Sequence, residues 1–430
     1  MKKILLLLSV CFAIQASAQP PQVSNAALKE TNPESAGFSA ERLARIDKVM
    51  NEQVNKLAMN GGVALIVRDG KIVYYKAFGY DDIDTKKPLQ KDAIFRIASQ
   101  TKAITSVAVM MLFEEGKFLL DDPISNFIPE FKSPKVLDKF NAADSTYTTV
   151  PAKREITIRD LLTHTSGIGY AQIGSPQANA IYYKAGVVGG IGVDKILLAD
   201  KMKILGSQPL FHQPGEKWTY GLNTDLLGYL VEVVSGMQLD QFFQKRIFEP
   251  LGMKDTYFYL PKEKQNRLAT LYSDTSGKVF KMQPVQRLNG ELRRDYPNMD
   301  GTYFSGGGGL SSTAYDYAVF LQMVLNGGIY NGKRLLSRNT VRMMTMNQVG
   351  DIPGLGTNKF GLGFGVTTEK GSSIIPTNEG TFDWGGMFAT TYWVDPKEKL
   401  IGVFYRNIFP TRQWGFSNTF KVLVYQAIND

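Results

Sequence analysis

The chain has 430 residues, of which 43% are hydrophobic and 21% are charged. This is an ordinary globular composition, and the chain is long enough to bury a large core. Its formal net charge is +9, but the basic residues are scattered, which argues against nucleic-acid binding. One cysteine and two histidines are too few for a cysteine-based or histidine-rich metal centre, and no His-Glu-x-x-His run occurs.

The first 18 residues have the pattern of a secretory signal peptide. Two lysines precede an apolar stretch, residues 4–14, and Ala-Ser-Ala follows just before Gln19. The stretch is shorter than the ~20 residues that span a bilayer, and no later stretch predicts a transmembrane segment. We therefore expect an exported protein, periplasmic or secreted. Because Val10 is a poor match to the small residue that precedes a lipoprotein cysteine, lipid attachment at Cys11 is not expected.

The next element along the chain is a predicted β-hairpin. Residues 63–80 contain two strand patterns that meet at Asp69-Gly70, a dipeptide typical of tight hairpin turns. A strongly apolar helix follows. It begins near Ser99, and Gly116 is its candidate C-cap.

The middle of the chain predicts helices separated by loops. Several amphipathic helical patterns lie in residues 120–300, for example at 225–236. The glycine-rich run at 305–312 lacks the Gly-Lys-Ser/Thr of a P-loop. It predicts a tight loop in which Ser311 or Ser312 caps the helix that follows.

Strand patterns return in the C-terminal part. Residues 381–407 predict two strands around an Asp-Pro-Lys-Glu-Lys turn, and a last helical pattern ends near residue 428. Strands at both ends with helices between them indicate an α/β (α+β) fold, with one sheet built from both termini and a helical insertion. The predicted sheet domain is therefore discontinuous, 19–98 and 305–430, and residues 99–304 form a mainly helical domain. A cleft between them would be the natural place for a site.

One short pattern, Ser99-Gln100-Thr101-Lys102, carries catalytic potential. Ser-x-x-Lys occurs once in the chain. Residues three apart on a helix share a face, so the Lys102 ammonium group can reach the Ser99 hydroxyl. That hydroxyl would lie at the positive end of the helix dipole. The rest of the helix is apolar nearly all round, so it should be buried.

If Lys102 is buried, desolvation would favour its neutral form, which can act as a base. A lysine that acts as a general base near neutral pH needs its pKa lowered from about 10.4 to about 7, and desolvation acts in that direction. No histidine is placed by a motif to do this work, and no Gly-x-Ser-x-Gly elbow is present. On these residues alone, Ser99 and Lys102 fit a nucleophile with its base as well as they fit a helix cap followed by a lysine.

Further segments occur in order after this pair. They are Leu-Leu-Thr-His-Thr-Ser-Gly at 161–167, Gln-Pro-Gly-Glu-Lys-Trp-Thr-Tyr at 213–220, Pro-Leu-Gly-Met-Lys-Asp-Thr at 250–256 and the glycine-rich run at 305–313. With Ser-x-x-Lys, they make residues 35–428 resemble the serine β-lactamase and penicillin-binding superfamily. The class C-like branch is most similar, in particular the β-lactamase-related carboxylesterases (family VIII type). The resemblance implies a serine β-lactamase-like fold, with an antiparallel sheet flanked by helices and a mostly helical inserted domain.

The second motif of this superfamily is Tyr-x-Asn, and Tyr220 matches its tyrosine. Leu222 stands at the asparagine position, and Asn223 lies one residue late. Gly228 follows Tyr220 by eight residues, a spacing that resembles the esterase branch. The resemblance therefore implies that Tyr220 shares proton transfer with Ser99 and Lys102, whereas it gives Asn223 no firm role. The alternative for Tyr220 is a core aromatic residue.

The third motif, Lys-Thr-Gly in β-lactamases, is replaced here by Trp384-Gly385-Gly386, which again resembles the esterase branch. The resemblance implies a sheet-edge strand that lines the cleft, with the backbone N–H groups of Ser99 and Met387 as oxyanion donors. The lost lysine would normally attract a substrate carboxylate. Lys359-Phe360-Gly361 is not its replacement, because that segment matches a separate, preceding strand.

The combined prediction is an exported serine hydrolase that forms an acyl-enzyme on Ser99, with carboxylic esters as the favoured substrates. The expected partner is a small-molecule ester or amide, and no metal or organic cofactor and no nucleic acid is implied. Two alternatives stay open: a β-lactamase or D-amino acid amide or peptide hydrolase, and a non-catalytic envelope binding protein on this fold. His164 is expected to be structural, and His212 has no motif that supports chemistry. The natural substrate and the oligomeric state are not predicted.

Overall fold

The computed structural model describes residues 26–192, 195–287 and 291–430, so the predicted signal peptide and Cys11 lie outside the described residues. Within these ranges, no helix has the length and apolar character needed to cross a membrane. The strands are β1 Gly61–Arg68, β2 Lys71–Asp82, β3 Lys87–Pro88, β4 Phe95–Arg96, β5 Lys135–Phe140, β6 Tyr147–Pro151, β7 Tyr272–Ser273, β8 Phe280–Lys281, β9 Val285–Arg287, β10 Glu291–Arg293, β11 Ser311–Ser312, β12 Ile329–Tyr330, β13 Lys333–Arg334, β14 Lys359–Phe360, β15 Gly365–Val366, β16 Phe382–Gly386, β17 Thr390–Asp395 and β18 Leu400–Tyr405.

Most of the helices lie in the middle of the chain. A π-helical turn, Gln244–Phe248, joins two of them, and short 3₁₀ turns occur at Pro33–Ala36, Ala98–Gln100, Ile124–Asn126, Pro129–Phe131 and Lys262–Arg267. The α-helices are α1 Ala40–Asn55, α2 Thr101–Glu114, α3 Ile158–Leu162, α4 Pro176–Lys184, α5 Leu198–Gly206, α6 Asn223–Ser235, α7 Leu239–Phe243, α8 Glu249–Leu251, α9 Ala314–Leu325, α10 Arg338–Met344, α11 Glu369–Ser372 and α12 Phe416–Tyr425.

The largest sheet has eight strands in the order β14-β15-β16-β17-β18-β1-β2-β3, and each neighbouring pair is antiparallel. Three strands come from the N-terminal part of the chain and five from the C-terminal part. The two parts meet where residues 63–68 of β1 pair with residues 400–405 of β18. The predicted fold class is therefore confirmed, because helices fill the sequence between the two sets of strands. The exact boundaries of the two domains stay a prediction.

Side-chain alternation along β1 decides which helices cover each face of this sheet. Val63, Leu65 and Val67 join the larger core, together with residues of α2 and α9. Ala64 and Ile66 point the other way, into a second core with the apolar faces of α1 and α12. Because both faces are buried, β1 is apolar at successive positions rather than at every second one.

The predicted turns are present where the backbone requires them. β1 and β2 are joined at Asp69 and Gly70, which have positive φ angles of 49° and 74°, as a tight hairpin turn needs. α2 ends at Glu114, and Gly116 adopts the left-handed conformation two residues later with φ 70°. These assignments from sequence are confirmed.

The predicted cap of α9 is wrong. Ser311 and Ser312 form β11, which pairs with Phe95 and Arg96 of β4, so both serines are held in extended backbone before the helix begins. The residue that caps α9 is Thr313, whose side chain accepts a hydrogen bond from the backbone N–H of Asp316 at 3.1 Å.

The segment 381–407 forms three strands rather than the predicted two. The turn between β17 and β18 lies where it was predicted, but a further tight turn at 387–389 separates β16 from β17. Ala389 occupies a left-handed conformation with φ 63° there. β16 is not at the edge of the sheet, although β15 pairs only with Phe382 and Asp383. Among the described residues, its remaining part at 384–386 has no strand on that side, so it can still line a cleft.

Candidate active site

Ser99 lies in a strained turn at the start of α2. It is the middle residue of the 3₁₀ turn Ala98–Gln100, and α2 continues directly from this turn. Ala98 has a φ angle of 43° and is fully buried. A non-glycine residue in the left-handed region costs about 1–3 kcal/mol and persists only where its surroundings enforce it. The turn leaves Ser99 partly exposed, whereas Ala98 and Gln100 on either side are buried.

Lys102 is one turn further along the same face, and its side chain is buried. Its residue is only 2% exposed. Nζ donates to Gly307 O at 2.6 Å, to Tyr170 Oη at 3.0 Å and to Ser99 Oγ at 3.3 Å. The buried amine is therefore fully provided with acceptors, one of which is the hydroxyl of Ser99.

Tyr220 completes a cluster of three side chains around the Ser99 hydroxyl. Tyr220 Oη donates to Ser99 Oγ at 2.7 Å, and the Tyr220 ring lies 4.6 Å from Lys102 Nζ. Tyr220 is in the loop just before α6 and is partly exposed. The structure thus brings together the three residues that the sequence selected, Ser99, Lys102 and Tyr220.

Two further contributors were missed by the sequence reasoning. Tyr170 contacts Lys102 directly, and burial raises the pKa of the Tyr170 phenol well above its usual range, with the nearby Tyr220 and Asp225 adding to the rise. It is therefore a neutral donor or acceptor at neutral pH. Gly307 contributes a carbonyl oxygen. The only sequence signal for Tyr170 was its place in the loop after residues 161–167, and a carbonyl oxygen carries no side-chain signal at all.

A buried carboxylate holds the glycine loop (residues 305–309) against this cluster. Asp225 Oδ1 accepts a hydrogen bond from Ser305 Oγ at 2.6 Å, and the backbone N–H of Gly307 also donates to this carboxylate. Burial raises the pKa of the Asp225 carboxyl, while the Ser305 hydrogen bond and the charge of Lys102 oppose that rise. Asp225 therefore fixes the residue whose carbonyl accepts from Lys102.

The strand β16 runs beside the nucleophile. A β carbon added to Gly386 would lie 2.3 Å from the carbonyl oxygen of Ile97, so this strand touches the backbone just before Ser99. Among the described residues, the backbone N–H groups of Ser99 and Met387 have no protein acceptor. Two free N–H groups beside a serine hydroxyl are what a developing oxyanion requires.

Two tryptophan rings pack on Tyr220. Trp218 stacks on Tyr220 with ring centroids 5.9 Å apart and an interplanar angle of 17°, and Trp384 lies 5.7 Å from the same ring. We call Trp218, Tyr220 and Trp384 the aromatic wall. Phe360 packs against Trp218 and Trp384 at 5.8 and 5.2 Å. The wall therefore contains no charged side chain.

His164 packs against the aromatic wall, and Asn223 holds His164 in place; neither forms a hydrogen bond with Ser99. The Asn223 amide donates to His164 Nδ1 at 2.9 Å, and its oxygen accepts from Ser166. Burial, together with the charge of Lys102, lowers the pKa of His164 well below its usual range, so the ring is neutral and packs against Tyr220. Asn223 is fully buried, and both of its side-chain partners lie in the 164–166 turn. The sequence had left its part in the site open.

The other rejected candidates also have structural partners. His212 contacts Gln213 O at 2.8 Å and Thr219 Oγ1 at 2.9 Å. Lys359 forms an ion pair with Asp351 at 2.7 Å, on a strand separate from β16. Within the described ranges, no three His, Cys, Asp or Glu side chains are grouped as they would be to hold a metal ion.

The fold and this cluster define a serine hydrolase of the β-lactamase type. Residues 46–426 match the family model described as Beta-lactamase, and the chain belongs to that family. Esterase EstB from Burkholderia gladioli is 29% identical over 403 residues, which cover 91% of this chain and 96% of that protein. The "Putative D-alanyl-D-alanine carboxypeptidase" of Escherichia coli (strain K12) is 31% identical over 425 residues, covering 93% and 89%.

A solved structure gives the same result. The hydrolase EstCE1, described as having promiscuous acyltransferase activity, superimposes with a TM-score of 0.77 at 27% identity and covers 90% of this chain and 99% of that one. The resemblance stated from the sequence, to β-lactamase-related carboxylesterases, is therefore confirmed.

Two glycine variants test the contact between β16 and the nucleophile turn. Gly386→Ala would push the strand away from Ile97, so we expect a loss of about 1–3 kcal/mol in stability and slower labelling of Ser99 by a fluorophosphonate probe. Gly415→Ala is the control, because a β carbon on this exposed glycine would meet no atom within 4 Å. Thermal unfolding and labelling rates are measured on both variants. Equal behaviour of the two would contradict the contact.

Proposed function

We propose that the protein hydrolyses carboxylic esters by a Ser-Lys-Tyr acyl-enzyme mechanism. The observation that carries this proposal is the position of the Ser99 hydroxyl, 2.7 Å from Tyr220 Oη and 3.3 Å from Lys102 Nζ. Both groups are within reach to take its proton as Ser99 Oγ attacks the ester carbonyl carbon. The N–H groups of Ser99 and Met387 then donate to the oxyanion.

The proton taken from Ser99 is then passed to the leaving group, and hydrolysis of the acyl-enzyme follows. Collapse of the tetrahedral intermediate breaks the bond to the alcohol oxygen, and Tyr220 supplies the proton that the leaving alkoxide needs. Water then attacks the acyl carbonyl carbon and gives a proton to the Tyr220–Lys102 pair, the bond from that carbon to Ser99 Oγ breaks, the carboxylic acid leaves, and Ser99 Oγ takes a proton back from the same pair. An alcohol in place of water would give acyl transfer instead, and the promiscuous acyltransferase activity of EstCE1 supports that variant of the same chemistry.

The first alternative is hydrolysis of β-lactams or of D-amino acid amides and peptides. The E. coli relative favours it by name. Trp384 argues against it, because the position that carries a cation in β-lactamases holds an indole ring that packs on Tyr220. A substrate carboxylate would meet an apolar surface there, and an unpaired buried charge is costly.

A substrate panel separates these two functions. Purified protein is given p-nitrophenyl esters, nitrocefin and a D-Ala-D-Ala peptide. We expect rapid ester turnover, which falls by about 10⁴-fold or more in Ser99→Ala and by about 10²-fold or more in Tyr220→Phe. The exposed Ser276 gives the control variant Ser276→Ala, which should match the wild type. Turnover of nitrocefin or peptide without ester turnover would establish the alternative.

We also propose that the protein is exported. The support is the charged, then apolar, then small-residue pattern of residues 1–18. N-terminal sequencing of protein expressed with its own leader in a Gram-negative host should find a mature chain that begins at Gln19, recovered outside the cytoplasm. An intact N-terminus in the cytoplasmic fraction would contradict export.

Two variants test the part that Asp225 plays in holding the glycine loop. Asp225→Asn keeps an oxygen that can accept from Ser305, whereas Asp225→Ala leaves the buried Ser305 hydroxyl and the Gly307 N–H without this acceptor. An unsatisfied buried donor costs about 1–3 kcal/mol, and the Gly307 carbonyl that accepts from Lys102 would lose its support. We therefore expect Asp225→Ala to unfold at a lower temperature and to have a lower ester kcat than Asp225→Asn. Equal thermal unfolding and equal kcat in the two variants would contradict this role.

A further inference from the structure

A second half-buried surface adjoins Ser99 and differs from the aromatic wall. A small apolar cluster is built on the buried residues Ala98 and Phe388, and the partly exposed side chains of Ile191, Met387 and Phe409 pack against it. Ala98 immediately precedes the nucleophile, and the ring of Phe409 lies 5.8 Å from that of Phe388. This surface is therefore apolar and adjoins the reacting serine.

The sequence around Ile191 is suited to placing one side chain at this surface. Residues 189–192 are Gly-Gly-Ile-Gly. A β carbon on Gly189 would lie 1.9 Å from Gln172, and one on Gly190 would lie 2.6 Å from Ser305 Oγ. Gly190 thus lets the backbone lie directly on the glycine loop, and Gly189 lets it lie against the side chain of Gln172. Ile191 is the only side chain among these four residues, and a β carbon on Gly308 would be 3.2 Å from its Cδ1.

The position of Tyr220 decides which part of an ester meets this surface. A leaving alkoxide must lie within hydrogen-bond reach of its proton donor. If Tyr220 is that donor, the alcohol lies along the aromatic wall, near Trp384 at the start of the 384–387 segment. The acyl group is the other substituent of the carbonyl carbon, so it extends the opposite way, toward Met387.

We propose that Ile191, Met387 and Phe409 form the acyl subsite of the enzyme and select uncharged aliphatic acyl groups. This inference rests on the proposed esterase function and names its substrate class. None of the three side chains carries a charge or a hydrogen-bond donor, so an acyl group with a carboxylate or an ammonium group loses its hydration there without compensation. An aliphatic acyl group gains from each methylene that it buries.

The test measures kcat/KM for two ester series. One varies the acyl chain, from p-nitrophenyl acetate to butyrate and hexanoate, and the other varies the alcohol of a butyrate ester. In the wild type we expect kcat/KM to rise by up to about fourfold for each methylene that enters the subsite. Ile191→Trp should shift the preference toward acetate, and Ile191→Ala should shift it toward hexanoate. Neither variant should change the order of preference among alcohols.

Controls separate this subsite from the function on which it rests. Ile173, which is 52% exposed, gives the control Ile173→Ala, whose acyl profile should match the wild type. Phe409→Leu should move the acyl profile as well, which guards against a local effect of the Ile191 segment. If esters are turned over in a Ser99-dependent way but the Ile191 variants alter only the alcohol preference, the subsite assignment is overturned while the esterase function stands. If no ester is turned over, both fail.

Discussion

The arrangement of the site depends on one constraint, the burial of the Lys102 amine in an apolar helix. A buried amine without partners would be strongly destabilising. Three oxygen atoms from separate parts of the chain accept its hydrogen bonds: the Ser99 hydroxyl, the Tyr170 phenol and the Gly307 carbonyl. Because these acceptors are far apart in sequence, each segment that carries one must be held by packing of its own. The hydrogen bonds of the Lys102 amine therefore fix the positions of the groups around Ser99.

The glycine loop shows how tightly one of those segments is held. A β carbon on Gly306 would lie 2.5 Å from Thr224 O, and one on Gly307 would lie 2.3 Å from Asp225 Oδ2. The run of glycines is thus a close approach of backbone to α6 and not a flexible loop. Asp225, on α6, holds the loop through the hydrogen bond that it accepts from Ser305. The same close packing recurs where Gly386 meets Ile97, so the strand, the nucleophile turn and the loop cannot shift independently.

Features that depend on neighbouring residues could be predicted from the sequence, whereas features that depend on contacts between distant residues could not. The hairpin, the Ser99 helix and α6 depend on local periodicity and turn residues, and all three were predicted. The cap of α9 was predicted wrongly because Ser311 and Ser312 pair with residues more than 200 positions earlier, which no local pattern reveals. Tyr170 and the Gly307 carbonyl escaped for the same reason. Ser99, Lys102 and Tyr220 were found together only because their motifs resemble those of a family.

The aromatic wall makes this side of the site apolar and uncharged. The apolar enclosure that lowers the pKa of His164 and keeps its ring neutral includes Trp218 and Tyr220, which the His164 ring contacts and which belong to the wall. A cation at the position of Trp384 would remove an indole ring from this stack and place a second positive charge near Lys102. In such a site, a substrate carboxylate would be needed to neutralise the extra positive charge. With Trp384 in place, the aromatic wall carries no charge and requires no counter-charge from the substrate, which suits the neutral alcohol leaving group of the proposed esterase reaction.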